Sequence, residues 1–186
     1  PKALTDRLAE VSALGPHQYP ITMGAPNFRR ALAKKCGRFM GRTLDPETEM
    51  VVTIGSTEAM VDTLFALTNP GDKIIMFSPY FENYRAQTLL VGCAPIFVPL
   101  VPPAFNYDAN VLEDAFRQGA KAILICNPSN PSGKVFTRAE LEQIAALAVK
   151  YDTYVIMDEV YEHIVYAPHK HIYMNLSLIH ISEPTR

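Results

Sequence analysis

Three side chains with chemical potential lie in two short loops of the sequence. Asn130 belongs to Asn-Pro-Ser-Asn-Pro-Ser-Gly at 127–133, and Asp158 and Tyr161 belong to Met-Asp-Glu-Val-Tyr at 157–161. An apolar run leads into each loop, which predicts two buried strands. Because open α/β sheets bind ligands outside the carboxyl ends of their strands, the two loops indicate one site. An amide, a carboxylate and a phenol together favour a flat, polar, heterocyclic ligand over a metal ion or a nucleic acid.

Two further segments add candidate binding groups. Ser56 and Thr57 stand between an apolar run and a helical pattern. Free N–H groups and the helix dipole favour an anion at such a turn, although this turn alone is explained better by Ser56 as a simple N-cap. The segment Ser-Pro-Tyr-Phe-Glu-Asn-Tyr at 78–84 places Phe81 among aromatic residues. It favours either a stacking face for a planar ligand or an aromatic contact in the core.

Other chemistries lack their sequence patterns. A nucleotide hydrolase needs Gly-x-x-x-x-Gly-Lys-Ser/Thr, and the nearest candidate, 127–135, has Pro128 and Val135 at required positions. The dinucleotide pattern Gly-x-Gly-x-x-Gly is absent from the sequence. His169 and His171 flank a lysine on a predicted exposed turn, so we predict no metal site.

Composition predicts a globular protein with a sizeable core. The chain has 186 residues, 48% of them hydrophobic and 19% charged, with a net charge of −2. This charge gives no electrostatic reason to expect a nucleic acid or an anionic membrane as partner. No apolar run approaches the roughly 20 residues of a membrane span. Cys36, Cys93 and Cys126 are predicted to be buried reduced thiols, which favours the cytoplasm.

Helical and strand patterns alternate along the chain. Repeated strand–helix units predict an α/β fold, a three-layer α-β-α sandwich with a mostly parallel sheet. Ser56, Asp108 and the pair Thr137/Glu140 are predicted to cap helices. The predicted strands are 50–54, 73–77, 94–100, 120–126 and 153–157, with 94–100 at an edge because of its prolines.

In this order, the motifs resemble the large domain of the pyridoxal-phosphate-dependent aminotransferases of class I/II, the aspartate aminotransferase superfamily of fold type I. The resemblance extends from about Tyr19 to Tyr173. Each motif alone has little specificity, whereas the ordered set is highly specific. The resemblance implies that pyridoxal 5'-phosphate is the cofactor.

The resemblance also implies roles for individual residues at the cofactor ring. Asp158 matches the carboxylate that pairs with the pyridine nitrogen. Asn130 and Tyr161 match the groups that share the ring's phenolic oxygen. Phe81 matches the aromatic residue that stacks on the ring.

The cofactor phosphate has its own implied partners. Ser56, Thr57 and the neighbouring backbone match the groups that hold it. Tyr19 matches a tyrosine that reaches the phosphate in the partner subunit of a homodimer.

One essential family residue has no match in the sequence. The family's cofactor is bound as a Schiff base to a lysine in a Ser-x-Ser-Lys-like motif, some tens of residues beyond Asp158. Lys134 and Lys170 lack that context, and the family's substrate-binding arginine also lies further along. We therefore expect a fragment of the large domain that has no transaminase turnover alone.

The expected organisation has three segments. Residues 1–26 read as a lead-in segment and 27–176 as a partial cofactor-binding large domain. Residues 177–186 resemble translated sequencing-adapter sequence and are expected to be a non-native tail.

The predicted function is transfer of an amino group between an amino acid and a 2-oxo acid. Two alternatives stay open. A carbon–sulfur β-lyase of the same fold uses similar cofactor-binding residues. The effector domain of a transcription regulator has the same fold. A helix-turn-helix upstream in the full reading frame would identify this alternative.

Overall fold

The computed structural model divides the chain into two compact units, Pro1–Thr53 and Ile54–Arg186. The predicted non-native tail, 177–186, lies outside the described residues, and the boundaries of the three predicted segments remain predictions. The structure describes residues 1–15, 17–19 and 21–174.

The first unit carries two helices, α1 (Lys2–Ser12) and α2 (Pro26–Met40). Pro26 stands in the first turn of α2, where a missing N–H costs nothing. The helix ends at Gly41, whose φ of 63° is left-handed and therefore suits glycine.

The second unit contains a four-stranded sheet in the order β2-β1-β3-β4, in which all neighbouring strands run parallel. Helices connect the strands in sequence, so the prediction of an α/β fold with a parallel sheet is confirmed. The elements are α3 (Gly55–Leu67), β1 (Lys73–Ser78), α4 (Asn83–Leu90), β2 (Ala94–Pro99), α5 (Ala109–Arg117), β3 (Ala120–Cys126), α6 (Arg138–Lys150) and β4 (Tyr154–Asp158).

Apolar side chains cover both faces of this sheet. On β1, Ile75 and Phe77 point to one face, where they pack in a core with residues of α5 and α6. Ile74 and Met76 point to the other face, where the core includes residues of α3 and α4. Alternation along a strand thus produces two cores and a three-layer sandwich, as predicted.

Local signals in the sequence fix several element ends. Asp108 caps α5, its side chain accepting a hydrogen bond from the Asn110 N–H at 2.8 Å. Thr137 and Glu140 form the predicted capping box of α6. β2 lies at the edge of the sheet, as its prolines predicted. No helix in the described part of the chain is long and apolar enough to span a membrane.

Two local predictions near the start of the second unit are wrong. Residues 50–54 form no strand, and Val51 and Ile54 are exposed. Ser56 is not the N-cap of α3, because the helix begins at Gly55 with Ile54 as its N-cap. The Glu58 carboxylate accepts a hydrogen bond from the Ile54 N–H, and α3 begins without a side-chain cap.

The strand order reverses beside β1. The chain leaves β1 for β2 on one side and then crosses back to β3 on the other side. Such a switch point opens a crevice at the carboxyl ends of the two strands, here after Ser78 and Cys126. The loops singled out by the sequence follow these strand ends.

Candidate functional site

A buried carboxylate ends the fourth strand. Asp158 is the last residue of β4, is 9% exposed, and lies beside Cys126 of β3 in the parallel register. Its Oδ2 accepts a hydrogen bond from the Tyr84 hydroxyl at 2.6 Å, and its Oδ1 accepts one from the Val160 N–H at 3.2 Å. Two carboxylate oxygens offer about four lone-pair sites, so Asp158 retains capacity for a further partner.

Tyr84 is a donor over a wide pH range. It lies in α4 and is 3% exposed. Burial, followed by the hydrogen bond to Asp158, raises the pKa of its hydroxyl far above the usual tyrosine value. The phenol therefore stays protonated and donates to the carboxylate.

Hydrogen bonds within the loop hold the segment after β3 in one path. Asn127 is fully buried, and its Oδ1 accepts from the Phe136 N–H at 3.1 Å. Ser129 donates its N–H to the Lys134 carbonyl, and its own carbonyl accepts from the Gly133 N–H, both at 2.8 Å. The loop thus presents Asn130 with little freedom left to lose.

The amide and the phenol predicted to share a ligand atom do meet. Asn130 Nδ2 donates to the Tyr161 hydroxyl at 3.4 Å, and both residues are half-buried. Phe81 is also half-buried and contacts Tyr84 edge-on, with ring centroids 5.6 Å apart. Two donors and an aromatic face therefore accompany the carboxylate at one edge of the sheet.

The first turn of α3 supplies the remaining groups. Ser56 and Asp158 line the same open groove, formed by the start of α3 and the end of β4. Ser56 and Thr57 are exposed, so their hydroxyls are accessible at the N-terminus of the helix, a position that favours an anion. Gln87 of α4 donates to the Thr57 carbonyl at 2.9 Å and ties this turn to the helix that carries Tyr84.

Tyr19 stands apart from this group. It belongs to the first unit, is 88% exposed, and has a left-handed φ of 57°. The structure describes each unit separately, so the role implied for Tyr19 stays a prediction.

The two lysines considered as cofactor anchors have other environments. Lys134 is 9% exposed, and its ammonium group donates to Glu140 at 2.6 Å. Lys170 is exposed.

Tyr84 is the site residue that the sequence did not single out. It stands 74 positions before its partner Asp158. Its signal was present in the aromatic segment 78–84, three residues after Phe81, which is one helical turn.

Comparisons with known proteins identify the family of the chain. The sequence profile of the family described as Aminotransferase class I and II matches residues 2–181. A probable N-succinyldiaminopimelate aminotransferase of Mycobacterium tuberculosis is 36% identical over 174 residues, which cover 92% of this chain and 44% of that protein. Kynurenine–oxoglutarate transaminase 3 of Rattus norvegicus is 36% identical over 166 residues, which cover 84% of this chain and 37% of that protein.

Solved structures match in the same way. An aspartate aminotransferase of Thermus thermophilus superposes with a TM-score of 0.89 at 32% identity, over 95% of this chain and 46% of that one. The chain therefore belongs to the class I and II aminotransferase family. It spans less than half the length of these relatives.

Proposed function

We propose that the protein containing this chain is a pyridoxal-phosphate-dependent aminotransferase that moves an amino group between an amino acid and a 2-oxo acid. The observation that carries the proposal is the pair of contacts at the strand ends, Tyr84–Asp158 and Asn130–Tyr161. Experiments below use the product of the full reading frame that contains this chain, called the full-length protein.

The donors and acceptors present fit the cofactor. Asp158 has a free lone pair for a protonated pyridine nitrogen, and an opposite charge at close range raises the pKa of that nitrogen. Asn130 and Tyr161 offer converging donors to a phenolic oxygen. Phe81 offers a ring face, and Ser56 and Thr57 stand at the first turn of α3, which suits a phosphate.

These residues divide the work at the site. When bound, pyridoxal phosphate supplies an electron sink for the electron pair released at the substrate's α carbon. Asp158 would supply the negative charge that keeps the ring nitrogen protonated, and Tyr84 donates the hydrogen bond that holds Asp158 in place. Asn130 and Tyr161 would donate to the phenolic oxygen and so set its proton affinity. Phe81 would offer its ring face to the cofactor.

The names of the relatives favour transamination over the two alternatives, since they are aminotransferases and transaminases. An amino acid and a 2-oxo acid follow as substrates. We further propose a homodimer in which Tyr19 reaches the partner's phosphate site. A cytoplasmic location is supported by three cysteines without disulfides.

The test is removal of the Asp158 charge. Asp158→Asn and Asp158→Ala should each lower turnover of the full-length protein at least about 100-fold, because the ring nitrogen loses its counter-charge. The far-UV circular dichroism should stay that of the wild type. Asp114→Asn, at an exposed aspartate of α5, is the matched control and should retain activity. Near-normal turnover in both Asp158 variants contradicts the proposal.

A further inference from the structure

Two glutamates flank Tyr161 and contact a second segment of the chain. Glu159 Oε1 lies 3.0 Å from His171 Nε2, and Glu162 Oε2 accepts from the Tyr173 hydroxyl at 2.6 Å. The sequence predicted an exposed turn for His171, and this is wrong, because its side chain is only 6% exposed. His171 has no role in the proposed cofactor site. Its side chain is nevertheless buried against Glu159, the residue that follows Asp158.

His171 and Tyr173, called here the 171–173 clamp, pack against each other and both contact the turn formed by residues 159–162. Their rings meet edge-on with centroids 4.5 Å apart. The turn is itself closed, since the Glu162 N–H donates to the Glu159 carbonyl at 2.9 Å. The clamp thus grips a closed turn at two points, with Tyr161 between them.

The polar role of His171 is confined to one contact. Among the described residues, its Nδ1 is buried without a hydrogen-bond partner. A carboxylate only accepts, so the contact with Glu159 requires the hydrogen on Nε2. Removal of the imidazole leaves Glu159, whose side chain is 17% exposed, without this partner.

We infer that His171 is a positioning residue that acts through Glu159 to fix the 159–162 turn and thereby the Tyr161 hydroxyl at the Asn130 amide. The inference rests on the proposed function, because the hydroxyl matters there as a donor to the cofactor's phenolic oxygen. Tyr161 Oη and Asn130 Nδ2 are 3.4 Å apart, near the limit of a hydrogen bond. A small displacement of the turn therefore separates them.

Release of the turn has a second consequence. Glu159 is next to Asp158 in the chain, and its carboxylate is turned to His171. Without the imidazole, this carboxylate is free to take up other positions near Asp158. The contact thus fixes the position of the Glu159 carboxylate as well as that of the turn that carries Tyr161.

The experiment measures how the visible absorption of the bound cofactor titrates with pH in the full-length holoenzyme. Tyr161→Phe removes a donor to the phenolic oxygen and should shift the titration midpoint upward by about one pH unit, a tenfold change in proton affinity. His171→Phe keeps an aromatic ring but no donor, and it should shift the midpoint in the same direction. His171→Gln restores a donor near the Nε2 position and should return the midpoint toward the wild-type value.

A double variant of His171 and Tyr161 shows whether His171 acts by positioning Tyr161 or by an independent effect on the site. If His171 acts through Tyr161, His171→Phe should add nothing to the shift of Tyr161→Phe. Additive shifts overturn the inference. Glu159→Ala removes the acceptor of the same hydrogen bond. If His171→Phe does not fold, this variant replaces it in the titration, alone and combined with Tyr161→Phe.

The two proposals fail in different ways. A full-length protein that binds no pyridoxal phosphate, measured by equilibrium dialysis, contradicts the proposed function and this inference with it. A wild-type protein that binds and titrates, while His171→Phe and Glu159→Ala titrate identically to it, overturns the inference alone. Equal shifts in His171→Phe and His171→Gln also overturn it, because the donor is then irrelevant.

Discussion

Tyr84 and Asp158 illustrate how burial prepares a charged side chain for a ligand. A carboxylate with 9% exposure needs donors, and a tyrosine and a backbone N–H supply two of them. Because the raised pKa keeps Tyr84 protonated at neutral pH, its hydroxyl remains a donor to Asp158. The remaining lone pairs of Asp158 are thus available to accept from a cationic donor in the crevice.

Removal of the Tyr84 hydroxyl should therefore be felt in both stability and cofactor binding. Tyr84→Phe leaves Asp158 buried with one donor fewer, which should lower the free energy of unfolding by about 1–3 kcal/mol. The affinity for pyridoxal phosphate should fall as well, because the carboxylate is less well held. Urea unfolding of the cofactor-free full-length protein and equilibrium dialysis measure the two effects.

Tyr107→Phe is the matched control for this prediction. Tyr107 also has a raised pKa, first from burial, and its hydroxyl donates to Gln143 at 2.9 Å, away from Asp158. The Tyr107→Phe variant should have a lower free energy of unfolding but an unchanged affinity for pyridoxal phosphate. Equal losses of affinity in the two variants contradict a specific role for Tyr84.

Asn130, Asp158 and Tyr161 could be singled out from the sequence because each lies at the end of a strand or within four residues of it. The meeting of Asn130 and Tyr161 was predictable, since parallel strands end at one edge of a sheet. Tyr84 and His171 could not be assigned in this way. Their partners lie 74 and 12 positions away, and no local pattern specifies which side chains meet across a core.

Among the elements, those with local signals were predicted best. β3 has the predicted bounds, Ala120–Cys126, and α6 begins at the predicted capping box. The run 50–54 has the composition of a strand but forms none, because a strand also needs a partner strand to take up its N–H and carbonyl groups. Within the described residues its Val52 N–H donates instead to the Met23 carbonyl.

The start of α6 couples a helix cap to a buried lysine. Glu140 accepts from the Thr137 N–H at 2.8 Å and from the Lys134 ammonium at 2.6 Å. Burial opposes ionisation of Glu140, but the hydrogen bonds from Lys134 and Thr137 outweigh it, so its pKa lies below the usual glutamate value. The same carboxylate thus holds the helix and the loop that presents Asn130.

This arrangement predicts an acid-dependent loss of stability. A lowered pKa in the folded state gives stability above the unfolded glutamate pKa of about 4.3, which is lost as the pH falls through the folded value. Glu140→Gln should therefore lower the free energy of unfolding by about 1–2 kcal/mol at neutral pH, with the difference vanishing in acid. Urea unfolding of the full-length protein at a series of pH values measures this.

Glu142→Gln is the control on the same helix. Glu142 is 49% exposed and 3.8 Å from Arg138, so its loss should cost about 0.5 kcal/mol or less. A Glu140→Gln difference that persists unchanged at low pH contradicts the role of the charge.

At the scale of the whole molecule, the residues to which we assign cofactor roles come from both units. Those proposed to bind the ring belong to the second unit, while Tyr19 belongs to the first unit. In a homodimer with the exchange that we propose, each cofactor would depend on two chains. Dependence on two chains can be measured without a structure of the dimer.

Hybrid dimers of two defective variants test this exchange. Tyr19→Ala should weaken cofactor binding about 10–100-fold through loss of a hydrogen bond to the charged phosphate. Asp158→Ala should abolish turnover. A hybrid of the two has one site with both defects and one site with none, if Tyr19 serves the partner's cofactor. Random reassociation of equal amounts should then restore about a quarter of wild-type activity, because half the dimers are hybrids with one intact site of two.

The measurement is made at a cofactor concentration that leaves the Tyr19→Ala homodimer nearly empty. Each variant, unfolded and refolded alone, is the control and should stay inactive, so recovered activity can come only from hybrids. If Tyr19 serves the cofactor of its own chain, both sites of a hybrid carry one defect and the mixture recovers nothing. The recovery therefore distinguishes a shared site from two self-contained ones.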